Sequence, residues 1–289
     1  MISFELLEEL VTFAKYGTLR ATAEHLMITQ PSVTRGMQKL EQELGVKLFD
    51  RQANRISLNE TGKLAAAEAK KLLAAENNFV EKIANFDQMK KNITIGSVAP
   101  GPLLWLDNNR PSFNQDLAIT QQLITPDHVV QDLLSYKQRI IFTNYEIESE
   151  EIESMYLGRE KLFVRIDKFN PLAAKKSVTF KDLAGLSFLV VRDVGPWRKI
   201  QESNIPDAKF LYQEDLNSLD ELTQYSNFPV FRSNLTLASH FEEKDDDRIL
   251  IPIEDKNNTL EIYGSYLKEQ RSTVQPLLKE ISQNWPVQK

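Results

Sequence analysis

The sequence has no cysteine, only three histidines, and no apolar run long enough to cross a bilayer. Without thiols there is no disulfide framework, no thiolate metal site and no cysteine nucleophile. A spanning helix needs about 18 or more apolar residues in a row, and none occurs. Residues Met1 to Glu9 carry neither a basic segment nor a long apolar core. No signal peptide is therefore expected, and the expected location is the cytoplasm. A Gly-rich phosphate loop, a dinucleotide fingerprint and a His-Glu-x-x-His zinc motif are all missing. His25, His128 and His240 lie far apart in the sequence. The expectation is a chain that is not an enzyme and holds no metal or cofactor. Positive charge is not in surplus either: the formal net charge is −6. Taken whole, that acidity argues against a nucleic-acid partner, because phosphate repels an acidic surface.

What is present changes that reading. At 289 residues the chain is long enough for two or three compact units. Residues 1–93 carry 13 Lys+Arg against 12 Asp+Glu, whereas residues 94–289 carry 22 against 29. The acidity thus lies wholly in the C-terminal two thirds. The texture changes at the same place. Up to about residue 88 the apolar spacing is helical, and from Ile93 short strand-like and helix-like pieces alternate. Strands are expected at 93–96, 118–124, 139–143, 161–166, 187–191, 209–212, 249–252 and 259–266. Helices are expected at 127–135, 179–183, 194–202, 218–225, 235–241 and 272–282. Such alternation predicts α/β architecture.

The N-terminal stretch is the most informative. Phe4, Leu7, Leu10, Val11 and Ala14 share one helical face, and Gly17 ends that helix. Thr18 is placed to cap a second helix, on which Ala23 and Leu26 face inward. Thr29 is placed to cap a third, with Pro31 in its first turn. Val33, Met37, Leu40 and Leu44 are expected to face the core of this third helix. Thr29, Gln30, Pro31, Ser32, Thr34, Arg35, Gln38 and Lys39 are left at its start or on its outer side. A short helix, a tight connection and a helix that opens on polar donors predict a helix-turn-helix. Gln and Arg suit base edges, and Ser and Thr suit phosphate or base. Two short β-type pieces, 46–51 and 56–58, follow around a polar turn containing Asn54. They predict a wing from which Arg51 and Arg55 project toward a minor groove.

Three segments together carry a resemblance. Gln30-Pro31-Ser32-Val33-Thr34-Arg35 comes first. Leu40-Glu41-Gln42-Glu43-Leu44-Gly45-Val46-Lys47-Leu48-Phe49-Asp50-Arg51 follows, and then Leu58-Asn59-Glu60-Thr61-Gly62. In this order they resemble the bacterial LysR-type transcriptional regulators, densely over residues 1–65. One departure is Thr22, where the family usually carries alanine; on a helix side expected to be partly exposed, it should cost little.

From Asn59 to Phe86 one continuous helix is expected. Ala65, Ala69, Leu72, Ala75, Phe79, Ile83 and Phe86 recur at spacings of three and four, a narrow seam that fits either helix–helix association or packing on the chain's own domain. The resemblance favours association: a homodimer, often paired into a tetramer, on pseudo-palindromic double-stranded DNA.

For the rest of the chain the resemblance implies an effector domain of two lobes, similar to periplasmic binding proteins. The expected division is a winged helix-turn-helix over 1–58, a linker helix over 59–90 and the regulatory domain over 91–289. Lobe one would be 91–162 and 265–289, and lobe two 163–264. A cleft between lobes is a natural place for a small-molecule effector. Strand ends and helix starts nominate Ser97, Val98, Ala99, Pro100, Gly101, Thr125, Thr143, Asn144, Asp193, Gly195 and Trp197. The backbone N–H groups of 97–101, ahead of a helix, suit an anion. Two segments depart from the family. Pro100–Ala118 is short and contains Asn108-Asn109-Arg110-Pro111, which would interrupt a helix. In 225–235, Ser226-Asn227-Phe228-Pro229-Val230-Phe231-Arg232 replaces the usual glycine-rich approach to an apolar strand. Both imply a reshaped cleft. The alternative is a C-terminal domain that holds the oligomer or a protein partner without sensing an effector.

Overall fold

The structure, a computed structural model, describes residues 1–52, 55–113, 116–120, 122–239 and 247–286. The chain divides into two compact units, Met1–Ala84 and Asn85–Lys289.

The first unit packs α1 (Phe4–Tyr16), α2 (Leu19–Leu26) and α3 (Gln30–Leu44) around one core. Leu10, Phe13, Val33, Met37, Leu40, Leu48 and Phe49 fill it. The wing is an antiparallel pair, β1 (Phe49–Gln52) and β2 (Arg55–Leu58), in the register Phe49↔Leu58 to Gln52↔Arg55. The turn residue Asn54 lies outside the described residues. Leu44 is not in the core as expected: it is exposed, because α3 ends there and Gly45 turns the chain away. Thr22 is fully buried rather than partly exposed. Its hydroxyl donates to the Thr18 carbonyl at 2.8 Å, so a polar group in this helical core leaves no donor unpaired.

Helix α4 (Glu60–Met89) runs on from the wing. Its opening turns close the head: Ala66 and Ala69 are core residues, with Ala65 and Leu73 packed against them. The expected seam is therefore divided. Ala65 and Ala69 serve the head's own core, and Leu72, Ala75, Phe79 and Ile83 are exposed. Phe86, in the second unit, meets Tyr136 edge-on at 5.1 Å.

The second unit is α/β. Its nine-stranded sheet has the order β4-β3-β5-β11-β6-β9-β7-β8, and β10 also pairs with β6. β3 (Ile93–Ser97) lies parallel to β4 (Leu117–Ile119) and to β5 (Ile140–Thr143). The spine is β6 (Ile152–Asp167), of which only 161–166 is expected from sequence. Its first part pairs with β11 (Thr259–Leu267) and its second with β9 (Val230–Ser233) and β10 (Arg248–Pro252). β7 (Ser187–Val191) and β8 (Lys209–Gln213) complete the second half. The chain thus crosses between lobes near Lys161. It is back in lobe one by Thr259, earlier than 265, because β11 pairs with the first part of β6 along its whole length.

Helices α5 (Pro100–Asn108), α6 (Pro126–Leu134) and α10 (Arg271–Gln283) cover lobe one. α7 (Pro196–Asn204), α8 (Leu216–Gln224) and α9 (Asn234–Ala238) belong to lobe two. The helix expected at 179–183 is a 3-10 turn with a Thr179/Asp182 capping box. Of the helix expected over 235–241, residues 240 and 241, His240 among them, fall outside the described residues. α5 ends at Asn108, and the Asn109 side chain then donates to the Trp105 carbonyl at 2.7 Å. A single core runs from Ile95 and Leu103 in lobe one to Trp197 and Leu235 in lobe two.

Candidate nucleic-acid interface and interlobe site

The start of α3 is built by local chemistry. Thr29 is extended, and its hydroxyl accepts from the Ser32 backbone N–H at 3.3 Å. Pro31 follows where a missing N–H costs nothing. Thr34 donates its hydroxyl to the Gln30 carbonyl at 3.0 Å. Gln30, Pro31, Arg35, Gln38 and Lys39 are exposed, with Ser32 and Thr34 half-buried beside them. The predicted outer side of α3 is thus one continuous polar surface with two cations, and its helix N-terminus adds partial positive charge. On the opposite side Gly36 admits α1: a Cβ there would meet the Glu9 carboxylate. Burial raises the pKa of that carboxyl.

The wing is held by a residue that the sequence reading passed over. Glu41 is buried at the end of α3 and accepts from the Leu48 N–H at 2.8 Å and the Phe49 N–H at 3.3 Å. Burial alone would raise its pKa. The two backbone donors, with Lys47 and Arg51, outweigh that and leave it lowered. Arg51 is therefore not simply a projecting wing residue, since its guanidinium lies 3.3 Å from the Glu41 carboxylate. Lys47 joins the same carboxylate at 3.5 Å. Arg55 is exposed opposite Gln52 at the tip of the wing. The signal for Glu41 in the sequence was a lone carboxylate among apolar positions just before the wing.

The nominated interlobe residues divide differently. Thr125 and Asp193 are exposed and Asn144 is half-buried. Thr125 meets His128 Nδ1 at 2.7 Å at the head of α6. Thr143 is buried and donates to the Tyr145 carbonyl at 2.7 Å, so it serves the strand end and not a cleft. Ser97, Val98, Ala99, Gly101 and Trp197 are brought together, but inside the protein. The loop before α7 lies directly on the end of β3. Gly195 has φ 56 there, and a Cβ would sit 2.0 Å from the Val98 carbonyl oxygen, so only glycine fits.

The expected anion site at 97–101 is also corrected. Pro100 and Pro102 have no N–H, and the Ala99 N–H is spent on Ser97 Oγ at 3.1 Å. A carboxylate of the protein itself already stands there. Glu160, on β6 opposite Leu260, is 1% exposed, and its Oε1 would lie 2.0 Å from a Cβ on Gly101. Burial pushes the Glu160 carboxyl up to about 7, and the Ser233 hydroxyl and Trp197 indole offset part of that. Glu160 Oε2 and Trp197 Nε1 nevertheless lack hydrogen-bond partners. Sequence reasoning missed Glu160 because a carboxylate ahead of an apolar strand reads as a solvated end.

A head of this kind on a two-lobed α/β domain defines a DNA-binding regulator with a winged helix-turn-helix. Residues 4–63 match the family described as bacterial regulatory helix-turn-helix protein, lysR family. The chain is a LysR-type transcriptional regulator. It is similar to the regulator YybE of Bacillus subtilis (strain 168), 26% identical over 201 residues, which is 66% of this chain and 67% of that protein. Similarity to CitR of the same organism is higher but local, 40% over 81 residues and 28% of each chain. Among solved structures, a full-length OxyR variant from Pseudomonas aeruginosa has the same fold. It is 19% identical with a TM-score of 0.54, covering 98% of this chain and 95% of that one.

Proposed function

We propose that this regulator works in the cytoplasm as a homodimer or a pair of dimers, reading a pseudo-palindromic operator through α3 and the wing of each copy. The observation that carries this reading is the row of exposed polar side chains from Gln30 to Lys39 behind a capped helix start. Gln30, Ser32, Arg35 and Gln38 face the major groove. Thr29, Thr34 and Lys39 serve phosphates or base edges, and Arg55 enters the minor groove beside Asn54. Arg51 orders the wing through Glu41 and contacts the backbone. α4 joins two copies through Leu72, Ala75, Phe79 and Ile83. A small molecule between the lobes shifts the assembly between DNA-binding geometries, which requires different affinities for the two states. The chain catalyses nothing; its output is occupancy of DNA.

In gel-shift titrations Arg35→Ala should cut the ratio of operator to non-operator affinity by about 10- to 100-fold, the worth of one bidentate base contact. Arg55→Ala should weaken binding to both DNAs with less change in that ratio. Parent-like titrations for both variants would remove these assignments. A second reading is favoured by one observation, the burial of Ser97, Ala99 and Trp197. In it the C-terminal domain senses nothing and only holds the assembly together.

A further inference from the structure

The interlobe site carries a negative group of its own. Glu160 sits where β6 crosses from one lobe to the other. Gly101, in the first turn of α5, lies against it from lobe one. Trp197, in the first turn of α7, and Ser233, the cap of α9, approach from lobe two. None of these neighbours titrates near neutrality, and no charged group is among the causes of its shift. The carboxylate therefore lacks a counter-ion, and one oxygen lacks any partner. A buried acceptor left open costs free energy, and a buried charge left open costs more. The two prolines of α5 remove donors that an incoming anion would need, and Glu160 would repel it.

We infer that the interlobe site selects a ligand presenting a cationic hydrogen-bond donor, an amine or guanidine, which pairs with Glu160 when the lobes close over it. This rests on the effector reading above and narrows it: carboxylates and phosphates are excluded from this position. The ammonium or guanidinium donates to Glu160 Oε2. Any acceptor two or three bonds away on the ligand meets the Trp197 N–H, the other open group.

The test uses the full chain. All three tryptophans, Trp105, Trp197 and Trp285, lie in the second unit, so tryptophan fluorescence reports its melting alone. Putrescine and agmatine, at about 10 mM, should raise that melting temperature by about 3–5 °C. Succinate and benzoate should not. The amine shift should vanish in Glu160→Gln. In the parent the amine concentration at half effect should fall about tenfold from pH 6 to pH 8 as Glu160 ionises, a dependence that a merely structural role would not give. A shift with the carboxylates overturns the inference and leaves the effector reading standing. An amine shift that persists unchanged in Glu160→Gln, or is flat with pH, also overturns it. No shift with either series removes the effector reading, and the inference with it.

Discussion

Glu160→Gln raises the stability of the effector domain at pH 8 by about 3 kcal/mol, a large fraction of what holds a domain folded. The sign follows from the proton. In the unfolded chain this carboxyl titrates near its ordinary 4.5, and in the fold burial holds it near 7. Between those values the folded domain keeps a proton that the unfolded chain releases. Stability is therefore lost as pH rises from about 4.5, and the loss is complete above about 7. Glutamine keeps the shape beside Gly101 and carries no charge to bury. Urea unfolding of parent and variant, followed by tryptophan fluorescence at pH 5 and pH 8, isolates the effect, since other titrating groups cancel in the difference. The gap should be near zero at pH 5 and several-fold larger at pH 8. A variant that is less stable than the parent at pH 8 would show that the carboxylate is satisfied as an anion.

Replacing Phe79 and Ile83 together by aspartate separates the copies. Phe79 is 66% exposed and Ile83 57%, so neither contributes to the packing of its own chain. Covering such side chains is worth about 1.5–3 kcal/mol each, and a symmetric pair covers four. Losing them, with carboxylates facing one another, costs at least about 6 kcal/mol, on the order of 10⁴-fold in the dimer constant. Sedimentation velocity should show the parent as dimer or tetramer and the variant as monomer. Head melting should be unchanged, because the core of the head ends near Leu73. A variant that sediments like the parent would place the interface elsewhere.

The head was legible because its rules are local. Thr18, Thr29, Gly17 and Gly45 mark helix ends by their own side chains or conformations, and the apolar spacing between them fixes the core. The wing was legible in outline, but Glu41 was not, since only the fold brings residue 41 to the amides of 48 and 49. In the second unit β3, β5, β7, β8, β10 and β11 came close to expectation, because buried strands leave apolar runs. The first part of β6 did not: it begins beside Glu150 and Glu151 and includes the exposed Tyr156 and Arg159, so it reads as a loop. The interlobe residues were nominated from strand ends, which gives position but not occupancy. That the lobes close on Val98 and Gly195, with Glu160 between α5 and α7, depends on contacts between residues sixty to a hundred positions apart.

The net charge of −6 takes its proper meaning from this division. DNA affinity comes from Arg35, Lys39 and the wing arginines, doubled by pairing of copies, and not from a global field. Selection of bound duplexes from a random-sequence DNA pool by the full chain tests this most directly. The account predicts enrichment of an inverted repeat whose half-sites are one helical turn, or a multiple of it, apart, and loss of that enrichment in Arg35→Ala. Failure to enrich any sequence, or enrichment of the same sites by Arg35→Ala, would contradict it.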